Sequence, residues 1–213
     1  MSFGRKTPFK IYMKATPTLL CIPDISGFTE FMSGTDFDLS SKVIPTLLNK
    51  IIYSNKIGLK VSEIEGDAVL FFKTGKLPPI QKLIEQCEHF YIEFYDQLEK
   101  LRDQHKDERG ATTIPQVLGL KIILHYGEEV ASTKVGNRIK LFGEDLIIAH
   151  RLLKNKIRMD EYILISEGLS NYYKEHDLDK EFEWGTLKKN YTEYDHVGKI
   201  HYHYINLKPL VKR

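Results

Sequence analysis

A chain of 213 residues that is 42% hydrophobic and 28% charged is long enough for one domain with a sizeable core, and too apolar for disorder. Its formal net charge of only +2 excludes a strong field for nucleic acid or a membrane surface, no apolar run reaches membrane-spanning length, and the basic N-terminus lacks the apolar stretch of a secretory signal. Cys21 and Cys87 sit in apolar settings and read as buried free thiols in a reducing compartment, so the expected location is cytoplasmic. They have no paired spacing for zinc.

Residues 1–17 read as an N-terminal extension and 18–213 as a single domain. The basic residues near the ends (Arg5, Lys6, Lys10 and Lys14; Lys208, Lys212 and Arg213) read as solvated tails. The first strand is expected over Thr18–Ile22, ending or bulging at Pro23, whose nitrogen cannot donate to a ladder. The run delivers a carboxylate, Asp24, to its end. Gly27 then breaks it, and Phe28-Thr29-Glu30-Phe31-Met32 reads as the first turn of a helix. An acid beside a helix start can cap that helix. Alternatively it can supply oxygen to a metal while the free N–H groups of the turn face an anion.

Ser33–Asp36 reads as a loop. A second helix follows, with Val43, Ile44, Leu47, Leu48, Ile51 and Ile52 on one face and Pro45 confined to its first turn. Two apolar runs flanking Glu65-Gly66-Asp67 predict a hairpin over Leu59–Phe72. Ile80 to Leu101 forms a long amphipathic helix, closed by the polar run Asp103–Gly110. Val117–Tyr126 reads as a strand ending in Gly127-Glu128-Glu129. A hairpin around Gly136-Asn137 is expected to pair Val130–Val135 with Arg138–Phe142. A helix opens at Gly143-Glu144-Asp145, Tyr162–Ser166 is strand-like, Gly168–His176 reads as a short helix, and a last strand covers Ile200–Ile205. The early order, β-α-β-β-α-β, predicts an α+β, ferredoxin-like antiparallel sheet with helices on one side.

In that topology the end of the first strand neighbours the hairpin turn, so Asp24 and Asp67 share one space. Paired carboxylates repel unless a cation lies between them or one is protonated. With oxygen donors only, the cation that fits is Mg²⁺ or Mn²⁺. His201 and His203 share a strand face without a visible third ligand, and a polar strand face accounts for them. His125 is expected to pack or hydrogen-bond near the sheet end, and His150 to lie in the core or a dimer face.

These residues carry a resemblance. Asp24-Ile25-Ser26-Gly27-Phe28-Thr29 resembles the first metal motif of the class III nucleotidyl cyclases, the adenylyl and guanylyl cyclase catalytic domains. Gly66-Asp67-Ala68 resembles their second metal motif. Gly119–Glu128 is similar to their strand ending in Gly-Ile-His-x-Gly. The segment from Phe142-Gly143-Glu144 to Ala149-His150-Arg151-Leu152 is similar to their Gly-x-x-Val-Asn-x-Ala-x-Arg-Leu helix. The motifs follow in order over roughly residues 18–155.

The resemblance implies metal-dependent cyclisation of a nucleoside triphosphate to a 3′,5′-cyclic nucleotide and pyrophosphate, in the cleft of a head-to-tail homodimer. Asp24, Asp67 and the carbonyl of Ile25 would hold Mg²⁺ or Mn²⁺. The amides of Ser26, Gly27, Phe28 and Thr29 would bind phosphates, and Arg151 would neutralise charge at the α-phosphate from across the dimer. The chain departs from the pattern elsewhere. Ile147 stands where the family has Asn, and the late lysine has no clear match, Lys199 being nearest but out of register. At the base-reading positions, Glu63 and Lys140 form neither the adenine pair nor the guanine pair, and a salt bridge across the sheet is the expected use of both. Two readings therefore stand, a divergent cyclase and a catalytically inactive binding or regulatory module on the same fold.

Overall fold

The computed structural model describes residues 14–108, 110–136, 138–174 and 178–211. Most of the expected extension (Arg5, Lys6 and Lys10 included), Arg109, the turn residue Asn137, His176, Lys212 and Arg213 lie outside them.

Strand β1 (Thr16–Ser26) lies at the centre of the sheet, paired antiparallel with β3 (Ala68–Thr74) on one side and β4 (Gly119–Val135) on the other. β2 (Lys60–Glu65) hairpins onto β3 through the Gly66-Asp67 turn. The order continues from β4 to β6 (Tyr162–Ser166), then β8 (Gly198–Asn206) and β7 (Lys188–Tyr194), and β5 (Arg138–Phe142) folds back on the far half of β4. The β2-β3-β1-β4 core is the ferredoxin-like arrangement, antiparallel throughout. The β4–β6 pair is parallel.

Both faces of β1 are buried, which is why its sequence reads as a near-continuous apolar run. Leu19, Cys21 and Ile25 face α2 (Phe37–Tyr53) and α3 (Ile80–Gln104), whose Leu47, Phe90 and Phe94 fill that side. Leu20 and Ile22 face the opposite way, into a smaller cluster with Ala149 and Leu152 of α5 (Glu144–Leu152). The expectation of helices on one side is therefore corrected, because α5 covers the second face. Cys21 and Cys87 are both free and buried.

Four local readings are also corrected. Pro23 does not end β1. The strand stays in register with β4 through Pro23, and only the ladder to β3 lapses, between Cys21↔Phe71 and Asp24↔Ala68. Pro45 lies inside α2, not in its first turn, because the helix starts at Phe37 and not near Val43. Pro45 and Ser41 are both exposed, so the Ser41 carbonyl left without an N–H partner meets solvent. Gly127-Glu128-Glu129 does not terminate a strand. β4 runs on through a register shift against β1 into the β5 hairpin, while Ile114–Val117 forms the short helix α4. Ser33 and Gly34 close the short helix α1 (Phe28–Gly34). The C-terminal aromatic run splits into the β7–β8 hairpin, and α6 (Glu167–Tyr173) is capped by the Ser166 hydroxyl.

Phe71 of β3 stacks on Phe90 of α3 with centroids 5.5 Å apart, and both are fully buried. Phe71→Ala should cost about 3–5 kcal/mol, read as a lowered urea midpoint at unchanged m-value.

Candidate functional site

Asp24 stands near the end of β1 on the α5-bearing face, opposite Ala68 on β3 and Lys121 on β4. The small Ala68 leaves room on one side, and Lys121 brings its Nζ to 3.4 Å from Asp24 Oδ2 on the other. The Ile25 N–H donates to the Asp67 carbonyl at 2.9 Å, so the hairpin turn is fastened to the end of β1 and the two acids are neighbours, as the topology predicted. Burial is the main force on Asp24 and pushes its carboxyl up to about 6. The Lys121 ammonium opposes that rise and the charge of Asp67 adds to it.

The chain then turns sharply. Gly27 has φ +76°, and a Cβ there would lie 1.9 Å from the Val117 carbonyl oxygen, so only glycine lets β1 turn into α1 against α4. Phe28 and Thr29 open α1, the Phe31 N–H returns to the Gly27 carbonyl at 2.9 Å, and the half-buried Ser26 has its Oγ buried without a hydrogen-bond partner among the described residues. The side chain of Ile25 belongs to the core, so only its backbone faces the site.

Arg151 and Ile147 sit one turn apart on α5, both exposed, Ile147 by 54%. α5 is pinned at its first turn. Buried His125 on β4 pairs its Nδ1 with Ser166 Oγ at 2.8 Å and its Nε2 with Asp145 Oδ1 at 3.1 Å, and Asp145 Oδ2 accepts from the Glu129 N–H at 2.8 Å. The hydrogen bond to His125 is the main reason the Asp145 carboxyl is held below its ordinary range. A Cβ on Gly127 would overlap Asp145 at 1.8 Å, so a bare backbone is what admits the helix to the strand.

Glu63 of β2 and Lys140 of β5 form the expected salt bridge. They line a cleft of about 770 Å³ together with the apolar side chains of Val61, Ile64 and Ile139. His150 is not a core residue. It is half-buried, with Nδ1 3.7 Å from Glu65 Oε2. Glu63, Glu65 and His150 place their donor atoms within 4.8 Å of one another, a grouping across β2 and α5 that sequence reading did not see. His201 and His203 are not part of it. His203 is buried, and burial holds its imidazole below the usual value. Lys199 lies over the Tyr191 ring at 3.8 Å. Lys121, within the Gly119–Glu128 segment, carries no signal of its own in the sequence. Only the β1–β4 register puts it opposite Asp24.

Comparison with known proteins gives three findings. Residues 44–162 match the family described as "Protein of unknown function (DUF2652)". The chain is 27% identical over 165 residues to the uncharacterized protein Rv2561/Rv2562 of Mycobacterium tuberculosis, covering 76% of this chain and 72% of that one. In structure it is similar to the guanylyl cyclase Cya2 (TM-score 0.66, 16% identity, 90% of this chain and 92% of that one). It is also similar to the adenylyl cyclase CyaB from P. aeruginosa (TM-score 0.58, 15% identity, 92% and 97%). The guanylate cyclase domain of RhGC from Catenaria anguillulae, solved in complex with GTP, matches with TM-score 0.57 and 18% identity over 89% of this chain and 96% of that one. The fold is thus that of class III cyclase catalytic domains. Among the described residues no helix is long and apolar enough to cross a membrane.

Asp24 binds its proton more tightly folded than unfolded, so it costs stability as pH rises from the ordinary 3.8 towards about 6, and a constant amount above. Asp24→Asn should therefore be up to about 3 kcal/mol more stable than the native chain at pH 8. The difference should shrink to nothing below about pH 4 in denaturant titrations across pH.

Proposed function

We propose, for a chain that belongs to the DUF2652 family, metal-dependent binding of a nucleoside triphosphate by a head-to-tail homodimer, and its conversion to a 3′,5′-cyclic nucleotide and pyrophosphate. The observation that carries this reading is the fastening of Asp67 beside Asp24 by the Ile25 N–H···O contact, on a fold shared with adenylyl and guanylyl cyclases. Two neighbouring carboxylates, with the backbone carbonyl of Ile25 next to Asp24, are an all-oxygen donor set that fits Mg²⁺ or Mn²⁺. When bound, such a cation favours the alkoxide of the attacking hydroxyl and offsets charge on the leaving pyrophosphate.

The chain's own groups do the rest. Asp24, Asp67 and the Ile25 carbonyl would hold the cation. The amides of Ser26, Gly27, Phe28 and Thr29 would take the β- and γ-phosphates where β1 turns into α1. Arg151, exposed on α5 and aimed away from its own core, would meet the α-phosphate from the second copy. Exposed Ile139, Phe142 and Ile147 supply apolar surface for that copy to cover. The 3′-oxygen attacks the α-phosphorus, the bond to pyrophosphate breaks, and the hydroxyl proton leaves to solvent.

The second reading, a nucleotide-binding regulatory module without turnover, is favoured by two observations. Ile147 cannot hydrogen-bond a ribose, and Glu63 and Lys140 are engaged with each other rather than free to read a base.

Incubation with each of the four nucleoside triphosphates and Mn²⁺, followed by mass detection, separates the readings. A cyclic product that is lost in Asp24→Ala and Asp67→Ala supports the enzyme. Asp24-dependent binding without product supports the module. A verified dimer that binds no triphosphate overturns both. For the enzyme, Ile147→Asn should raise the turnover rate by about a hundredfold.

A further inference from the structure

Lys121 stands against Asp24 and has no part in the scheme above. The pair is directly opposite in the β1–β4 register, so both side chains leave the same face of the sheet. A lysine can usually carry its ammonium out to water. Lys121 does not. Its side chain is only 21% exposed, and its Nζ turns to Asp24 Oδ2 at 3.4 Å, while Asp24 is itself 10% exposed. Asp24 thus receives its compensating positive charge from the protein. A divalent cation that takes the same carboxylate brings its charge against that ammonium, and the two repel at close range in a poorly solvated site.

We infer that Lys121 is the resident counter-ion of the metal site. It holds Asp24 in the metal-free chain, weakens the affinity of that carboxylate for a divalent cation, and once displaced remains on β4 as a cation for a phosphate of the bound nucleotide. This rests on Asp24 and Asp67 being the metal ligands. The role is a positioning and affinity-setting one, and it gives the metal half of the site a third charged group fixed by strand register.

The test measures two affinities that the inference moves in opposite directions. Mn²⁺ alone is titrated into the full chain and followed by the electron paramagnetic resonance of free Mn²⁺. Pyrophosphate binding is then measured by calorimetry at saturating Mn²⁺. Lys121→Met should bind Mn²⁺ about tenfold more tightly and pyrophosphate about tenfold more weakly. Lys121→Arg should stay close to the native chain in both. Lys121→Gln provides the same comparison if the methionine variant misfolds. A lysine that only holds β4 against β1 would move both affinities the same way or neither, and that result overturns the inference while leaving Asp24-dependent Mn²⁺ binding intact. Mn²⁺ binding that survives Asp24→Asn unchanged overturns the metal-site assignment itself, and the premise with it.

Discussion

A carboxylate on a strand whose faces are both buried must find its charge compensation inside the protein. Asp24 is in that position. β3 and β4 flank it on either side, water is largely excluded, and burial pushes its carboxyl up to about 6. Much of the surrounding structure responds to that constraint. Ala68 stays small beside it, Lys121 turns inward, and the Asp67 turn is anchored by a backbone hydrogen bond rather than left to move. An amide at this position would remove the cost of burying that charge.

The second organising element is the attachment of α5. Its first turn is held by Asp145 against His125 and the Glu129 amide, over a glycine that leaves no side chain in the way. The later turns carry Arg151 and Ile147 outwards. The helix is thus fixed at its first turn and exposed further along.

Much of this was legible beforehand, for identifiable reasons. The Asp24–Asp67 proximity followed from topology, because a strand and the hairpin paired to it must bring end and turn together. The Glu63–Lys140 bridge followed from opposite charges at two positions that the cyclase resemblance brings together across the sheet. Lys121 escaped because cross-strand register is a property of pairs of residues far apart in sequence, and no period within β4 reveals it. The Glu63–Glu65–His150 grouping escaped for the same reason, with the added step that α5 had to be placed on the second face of the sheet. Pro23 and Pro45 misled because each lacks only an N–H. In β1 the loss falls on one of two ladders, and in α2 it falls on the solvent side, so both elements continue where local rules predict a stop.

The length of β4 has a further consequence. One unbroken strand of 17 residues carries Lys121 beside Asp24, His125 under α5, Gly127 where that helix touches down, and the arm that leads to β5 and Lys140. These positions cannot drift independently. A one-residue slip would turn each of them to the other face at once. Substitution along β4 is therefore constrained as a block, whereas Ile147 on α5 and Glu63 on β2 stand on elements outside that strand.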